Sequence, residues 1–308
     1  MSSQVRPSPV LLARMFFGLQ AIAGTGWWVA VFLSGDVRRL TLGAWSPLLL
    51  VGPDLALFAG ASGIAAFRMS KTAAVTATAW TVLVTVALGV YALVSRLAGW
   101  GAVLMVIASL GSVAATATIW HGYLPTRWFF VGPFRFRVAA AASGQRHLFR
   151  SVTQLIVFWT TFFLVIPVVL RTVEYRLRLE WPALNGALWN LVGACGFALG
   201  SALGLWSYVT MALVGHGTPL PAHTARELVA AGPYRFVRNP MALAGAVQTV
   251  AVGVWIGSWM VVIVGSAGAV VWNEIIRPVE EADLLERFGE SYAQYALRVR
   301  CWLPTLRS

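Results

Sequence analysis

Charge is scarce in this sequence. Only 11% of its 308 residues are Asp, Glu, Lys or Arg, and 58% are hydrophobic, whereas a soluble domain carries about 25% charged residues. That shortage excludes an ordinary soluble domain. Long apolar runs point instead to an integral membrane protein, because one span needs roughly 20 such residues. Negative charge is rarer still, with 11 acidic residues against 23 basic ones. In a soluble chain the resulting +12 would suggest nucleic acid. Here the basic residues, nearly all arginine, sit in short loops between apolar runs, where they set orientation and meet anionic lipid headgroups. Membrane lipids are therefore the expected partners, and nucleic acid is not. Cysteine is limited to Cys195 and Cys301, which implies no disulfide framework. No small-residue cleavage site follows the first apolar run, so that run reads as a retained span. A Gly-rich strand-turn-helix fingerprint is also missing, so a Rossmann-type cofactor domain is not expected.

What is present predicts an all-α integral membrane protein of about eight transmembrane helices. The expected spans are 15–33, 47–67, 72–95, 99–120, 153–170 and 184–213, followed by two shorter apolar pieces at 241–256 and 259–271. The last two meet at Gly257-Ser258 and read as a short helical hairpin, with a C-terminal cytoplasmic helix beyond it. A stretch at 121–150 contains Arg127, Arg135, Arg137, Arg146 and Arg150 and no acidic residue. It divides the chain into an N-terminal four-span unit with a basic linker (1–150) and a C-terminal unit (151–308). The positive-inside rule makes that stretch cytoplasmic. Counting spans from it puts both termini and the loop at 215–239 on the cytoplasmic face. Arg171 to Trp181 then forms a loop on the other side. Gly196, Gly200 and Gly204 recur at four-residue spacing, as expected where two membrane helices approach closely.

The chemistry concentrates in two stretches. In the first, Gly232-Pro233-Tyr234-Arg235 leads through Phe236-Val237 to Arg238-Asn239-Pro240. Gly-Pro forces a turn, and Pro240 suits the first position of a new helix. Arg235 and Arg238, three apart, could project together and offer guanidinium forks to an anion. An ordinary basic juxtamembrane turn is the alternative. The second stretch holds six of the eleven acidic residues, between Glu274 and Glu290. Glu281, Leu284, Leu285 and Phe288 have the spacing of one helical face, and Arg277 stands one turn before Glu281, where it can pair with it. Glu280 or Glu281 is then placed to meet a ligand ammonium or to hold Arg235 or Arg238. Tyr292, Tyr295 and Val299 continue at helical spacing, fit to pack on a surface or wall a planar ring. Outside these stretches, His216 and His223 flank a Pro-rich loop, and with no Cys nearby no metal site is expected. Asp54, beside Pro53, is an acid inside an apolar run, and Gln248 can line a pocket or bond a neighbouring helix.

In this order the two stretches, closed by Val299-Arg300 and Leu303-Pro304, resemble the C-terminal half of the isoprenylcysteine carboxyl methyltransferase and phospholipid methyltransferase families. The resemblance covers about 189–304. It implies a membrane-embedded methyltransferase that uses S-adenosyl-L-methionine and methylates a lipophilic or lipid acceptor entering from the bilayer. It further implies that Arg238 and Glu281 are catalytic. By position in the two motifs, the cofactor would be held by Tyr234, Arg235, Arg238, Pro240, Glu280 and Glu281; the residues around them add Gly232, Pro233 and Asn239 of the turn, Tyr292 as a wall for a planar ring, and His223 as a lip of the pocket or part of a solvated loop. Asn239 stands where prenylcysteine enzymes usually have His, and Ala242 where Tyr is usual, which detaches the chain from a prenylcysteine substrate. Asn is common there in bacterial relatives, and a bacterial inner membrane is the expected location. Nothing demands an obligate protein partner. Two other classes fit the same layout: an NADPH-dependent membrane reductase of the sterol-reductase type, and a non-enzymatic lipid-binding or transport protein. Comparing nicotinamide with S-adenosylmethionine binding separates the first. The absence of methyl transfer to any extracted lipid would favour the second.

Overall fold

A computed structural model describes residues 8–126, 156–215 and 226–305. The described residues are helical, with tight turns between helices. Seven helices are long and apolar enough to cross a membrane: α1 (Pro9–Leu33), α3 (Pro47–Arg68), α4 (Lys71–Ser95), α5 (Gly99–His121), α6 (Ile156–Arg176), α7 (Ala187–Val214) and α9 (Trp259–Arg298). A short α2 (Gly35–Thr41) follows α1. The apolar α8 (Pro240–Trp255) has only 16 residues, about 24 Å at the helical rise. Large apolar side chains such as Leu33, Leu48 and Phe67 stand more than three-quarters exposed, as helices facing hydrocarbon require.

Three helices widen into a π turn, at Leu55–Gly60, Thr161–Val165 and Trp272–Ile276. Each lies two residues from a proline inside its helix, respectively Pro53, Pro167 and Pro278. An interior proline cannot donate a backbone hydrogen bond, and its ring crowds the carbonyl four residues back. A locally widened turn absorbs that defect and lets the helix continue.

The chain divides into two compact units, Met1–Pro125 with Tyr175–Leu179, and Thr126–Glu174 with Glu180–Ser308. The first packs α1, α3, α4 and α5 around small residues, among them Ala61, Ala65, Ala74, Ala77 and Ala115, with Phe17 fully buried at the centre. A polar file runs through it. Gln20 donates to Ser62 (3.0 Å) and accepts from Ser112 (3.0 Å), while Thr78 meets Thr116 and Thr85 meets Ser109. Such bonds hold helices together where lipid offers no hydrophobic drive. Asp54, one residue ahead of its π turn, accepts from the indole N–H groups of Trp28 (2.8 Å) and Trp80 (2.7 Å). Each carboxylate oxygen therefore has a donor from another helix.

In the second unit, α7 and α8 pack along a glycine edge. A Cβ at Gly193 would lie 2.5 Å from the Trp255 backbone nitrogen, and one at Gly200 would lie 2.7 Å from Gln248 Cγ. The repeat thus admits α8 at close range, and Gln248 donates to Ser201 of α7 (3.0 Å), as a helix-bonding residue rather than a free pocket group. The turn from α8 to α9 is tight at Gly257 (φ +64°).

The structure departs from the sequence expectations in two places. Residues 171–176, expected in a loop, continue α6, because Arg171 satisfies Glu180 (3.3 Å) and lies near Glu174 (3.7 Å), whose side chain is fully buried against Ser258. The last apolar piece does not end at Val271 but runs on through the π turn as one 40-residue helix. The expected separate C-terminal helix is the distal part of α9, where Gly289 (φ +53°, ψ −130°) breaks the helical geometry.

Candidate functional site

The turn before α8 is shaped by its first two residues. Gly232 has φ +55°, a left-handed conformation that costs glycine little. A Cβ there would also sit 2.6 Å from Thr210 Oγ1. Pro233 follows inside a 3-10 turn, Gly232–Arg235, with Pro233, Tyr234 and Val237 buried. Asn239 then caps α8: its Oδ1 accepts from the Ala242 amide (3.1 Å) and Pro240 takes the first helical position.

The same Asn239 ties α8 to the acidic stretch. Its Nδ2 donates to Glu280 Oε2 at 3.0 Å. Arg238 is fastened three ways, by its backbone N–H to Arg300 O (2.9 Å), by Nη1 to Ala296 O (3.3 Å) and by Nη2 to Glu281 (3.2 Å). Glu281 also receives Arg277 Nε at 3.3 Å. Further bonds close the seam: Tyr295 Oη donates to Tyr234 O (2.6 Å), and the Thr305 amide donates to Phe236 O (2.9 Å). Tyr292, Tyr295 and Val299 are buried as one cluster with Leu228, Leu284 and Phe288 around them. The break at Gly289 precedes this cluster, so the distal part of α9 takes its own direction where it packs on the turn.

The two sequence stretches therefore meet, although separated by more than thirty residues. Two details differ from the sequence expectation. Arg235 and Arg238 do not project together: the 3-10 turn ends at Arg235, leaving it exposed with its guanidinium 4.7 Å from the Phe236 ring centre, while Arg238 turns inward. Leu285 leaves the face it was assigned to and is half exposed, because the face that packs inward is Leu284 and Phe288. His223, with its neighbour His216, lies outside the described residues.

Two buried donors in this seam, Tyr234 Oη and Arg238 Nε, have no protein partner among the described residues. Burial first, and then the negative charge of Glu280, pushes the Tyr234 phenol above its ordinary range, so it stays protonated and able to donate. Burial likewise raises the Cys301 thiol, against the opposing pull of Arg277 and Arg238, which leaves it a poor nucleophile. The donor set fits S-adenosylmethionine in kind: Glu280 and Glu281 suit an ammonium, a guanidinium suits a carboxylate, and Tyr292 offers an aromatic wall.

Sequence reasoning missed Asn273 and Trp302. Asn273 Oδ1 accepts from Trp302 Nε1 (2.7 Å) and from Arg277 Nη1 (2.7 Å). An Asn at the end of an apolar run, with an indole in a short tail, was the available signal.

Comparison with known proteins supplies one family. The model described as phospholipid methyltransferase matches residues 188–291, a segment from the first turn of α7 into the distal part of α9, and it agrees with the resemblance carried by the motifs. No curated protein matches the chain. The matched segment contains every contact from Asn239 and Arg238 to Glu280 and Glu281.

Proposed function

We propose that the chain is an S-adenosylmethionine-dependent methyltransferase acting on a lipophilic acceptor that reaches it from the bilayer. The observation that carries this reading is the joining of Arg238 and Asn239 to Glu281 and Glu280 (3.2 and 3.0 Å) within the segment that matches the family. When bound, the cofactor supplies an electrophilic methyl on a sulfonium, with a neutral thioether as leaving group. The protein has little acid–base work to do. Its task is to align the acceptor with the methyl and to exclude water.

Each residue then has a distinct part. Glu280 and Glu281 accept from the cofactor ammonium. Arg238 has two of its nitrogens committed to Ala296 and Glu281, so its larger role is to hold the glutamate helix against the turn, with Nε left for a ligand oxygen. Tyr234 donates its hydroxyl, which has no protein partner among the described residues, and Tyr292 walls the adenine side. Gly232, Pro233 and Pro240 shape the backbone, Asn239 fixes Glu280, and the exposed Arg235 stands at the outer rim.

Calorimetry in detergent tests this directly. Cofactor binding by the unaltered protein should fall by about tenfold or more in Arg238→Ala and in Glu281→Ala, the loss expected when a charge-assisted bond worth about 1.5–3 kcal/mol is removed. Normal binding by both variants would overturn the site. The acceptor is found by incubating the protein with methyl-labelled cofactor and a total lipid extract and identifying the labelled product.

A further inference from the structure

An open groove of about 530 Å³ runs along α8, lined by Gly193 and Gly196 of α7, Leu243, Val250 and Val254 of α8, and Trp302 of the tail. From Leu243 to Val254 it covers twelve residues, about 16 Å from end to end at the helical rise. That is close to one leaflet of a hydrocarbon core about 30 Å thick. Its two ends differ. The far end is wholly apolar, while the near end starts one turn from Asn239 and abuts a second recess of about 270 Å³ that holds Asn273 and Glu274. Trp302 and Ala269 line both. A site with this polarity suits an amphiphile, one hydrocarbon chain along α8 and its polar head beside Trp302.

Trp302 is itself held. Its ring stands edge-on to Trp272 (5.3 Å), and its indole N–H reaches Asn273, which also binds Arg277, which binds Glu281, the partner of Arg238. One chain of polar contacts therefore links the groove wall to the cofactor residues. We propose that Trp302 is a positioning and specificity-determining residue that seats the head of a chain-bearing acceptor at the motif end of this groove and couples its presence to the Arg238–Glu281 pair. The coupling rests on the methyltransferase reading above; the groove's occupancy by a hydrocarbon chain does not.

Two measurements on the full chain in phosphatidylglycerol nanodiscs test it. In the first, a diazirine-bearing hexadecanol is photolysed and its adducts mapped by mass spectrometry. Adducts should concentrate on groove-lining residues of α7 and α8 and disappear in Val250→Trp, which fills the groove. Even labelling of all lipid-facing helices would overturn the groove. In the second, S-adenosylhomocysteine affinity is measured with and without dodecanol. The unaltered protein should show coupling of about fivefold, the low end for linked sites. Trp302→Phe keeps a ring but loses the N–H bonded to Asn273, so it should melt slightly lower, as the loss of one hydrogen bond predicts, still bind S-adenosylhomocysteine, and show no coupling. Undiminished coupling in Trp302→Phe would overturn the relay. If S-adenosylhomocysteine fails to bind the unaltered protein, the methyltransferase reading and the relay fall together, while the labelling result still decides the groove.

Discussion

Asn239 and Tyr234 show how one residue can be tested for more than stability. Asn239 spends its oxygen on the α8 cap and its amide on Glu280. Asn239→Asp keeps the capping acceptor but replaces the donor with a second carboxylate facing Glu280. It should bind the cofactor about tenfold more weakly or worse, since a lost bond to a charged group is worth about 1.5–3 kcal/mol. Asn239→Ala should in addition lose about 1 kcal/mol of stability with the cap. Calorimetry and thermal melts of the two variants separate these effects. Tyr234 and Tyr295 form a second contrast. Tyr295→Phe removes a bond to Tyr234 O and should cost about 1 kcal/mol. Tyr234→Phe removes a hydroxyl with no protein partner among the described residues. It should leave the melting temperature unchanged or slightly raised while weakening cofactor binding. Equal binding by Tyr234→Phe and the unaltered protein would remove that hydroxyl from the site. At this scale the sequence marked the motif residues but could not say which way each points. Arg235 and Arg238 share a spacing that permits one face, yet the 3-10 turn that ends at Arg235 begins at Gly232, held against Thr210, a contact 22 residues away.

Among elements, the pairing of α7 with α8 carries the site, because Asn239 caps α8. The glycine spacing in α7 announced a close helix contact without naming the partner, and the geometry of the contact makes a sharp prediction. A Cβ at Gly193 would overlap the Trp255 backbone, whereas one at Gly245 meets nothing within 4 Å. Gly193→Val should lower stability by about 1–3 kcal/mol, as overpacking does. Gly245→Ala should be neutral or stabilising by about 0.5–1 kcal/mol, the gain of alanine over glycine in a helix. Melts in detergent distinguish the two, and equal effects would contradict the close approach. The three π turns were not legible. Each proline announced a defect, but a proline inside a helix can be met by a kink, a break or a widened turn, and packing of the surrounding helices chooses among them. The 40-residue course of α9 follows from that choice at Pro278.

At the level of the molecule, the two units are built on different polar devices. The first uses Asp54, Gln20 and Ser/Thr pairs to bind helices to one another. The second gathers six of its carboxylates where turn, tail and distal α9 meet, and holds a separate group, Arg171 with Glu174 and Glu180, by Ser258 at the turn from α8 to α9. Asp54→Leu strands two indole donors, and each should cost about 1–3 kcal/mol when buried without an acceptor. The expected result is a clear drop in melting temperature, with cofactor affinity of the remaining folded protein unchanged within about twofold. A selective loss of binding with no change in melting would instead make Asp54 a functional group.

Composition, run length and motif order by themselves determined that this chain is an all-helical membrane protein whose two charged motifs lie in its C-terminal half. Those properties follow from solvation: a bilayer admits long apolar runs, and the few charges must gather where they can be paired or wetted. Only the tertiary structure decided that Asn239 meets Glu280, that Arg238 serves mainly to clamp the glutamate helix, and that Trp302 stands between the apolar groove and Asn273. Contacts in this seam join residues as far as 69 positions apart, as Phe236 is from Thr305. They depend on helix register, on the π turn before Pro278 and on the break at Gly289, none of which leaves a periodic mark on the sequence.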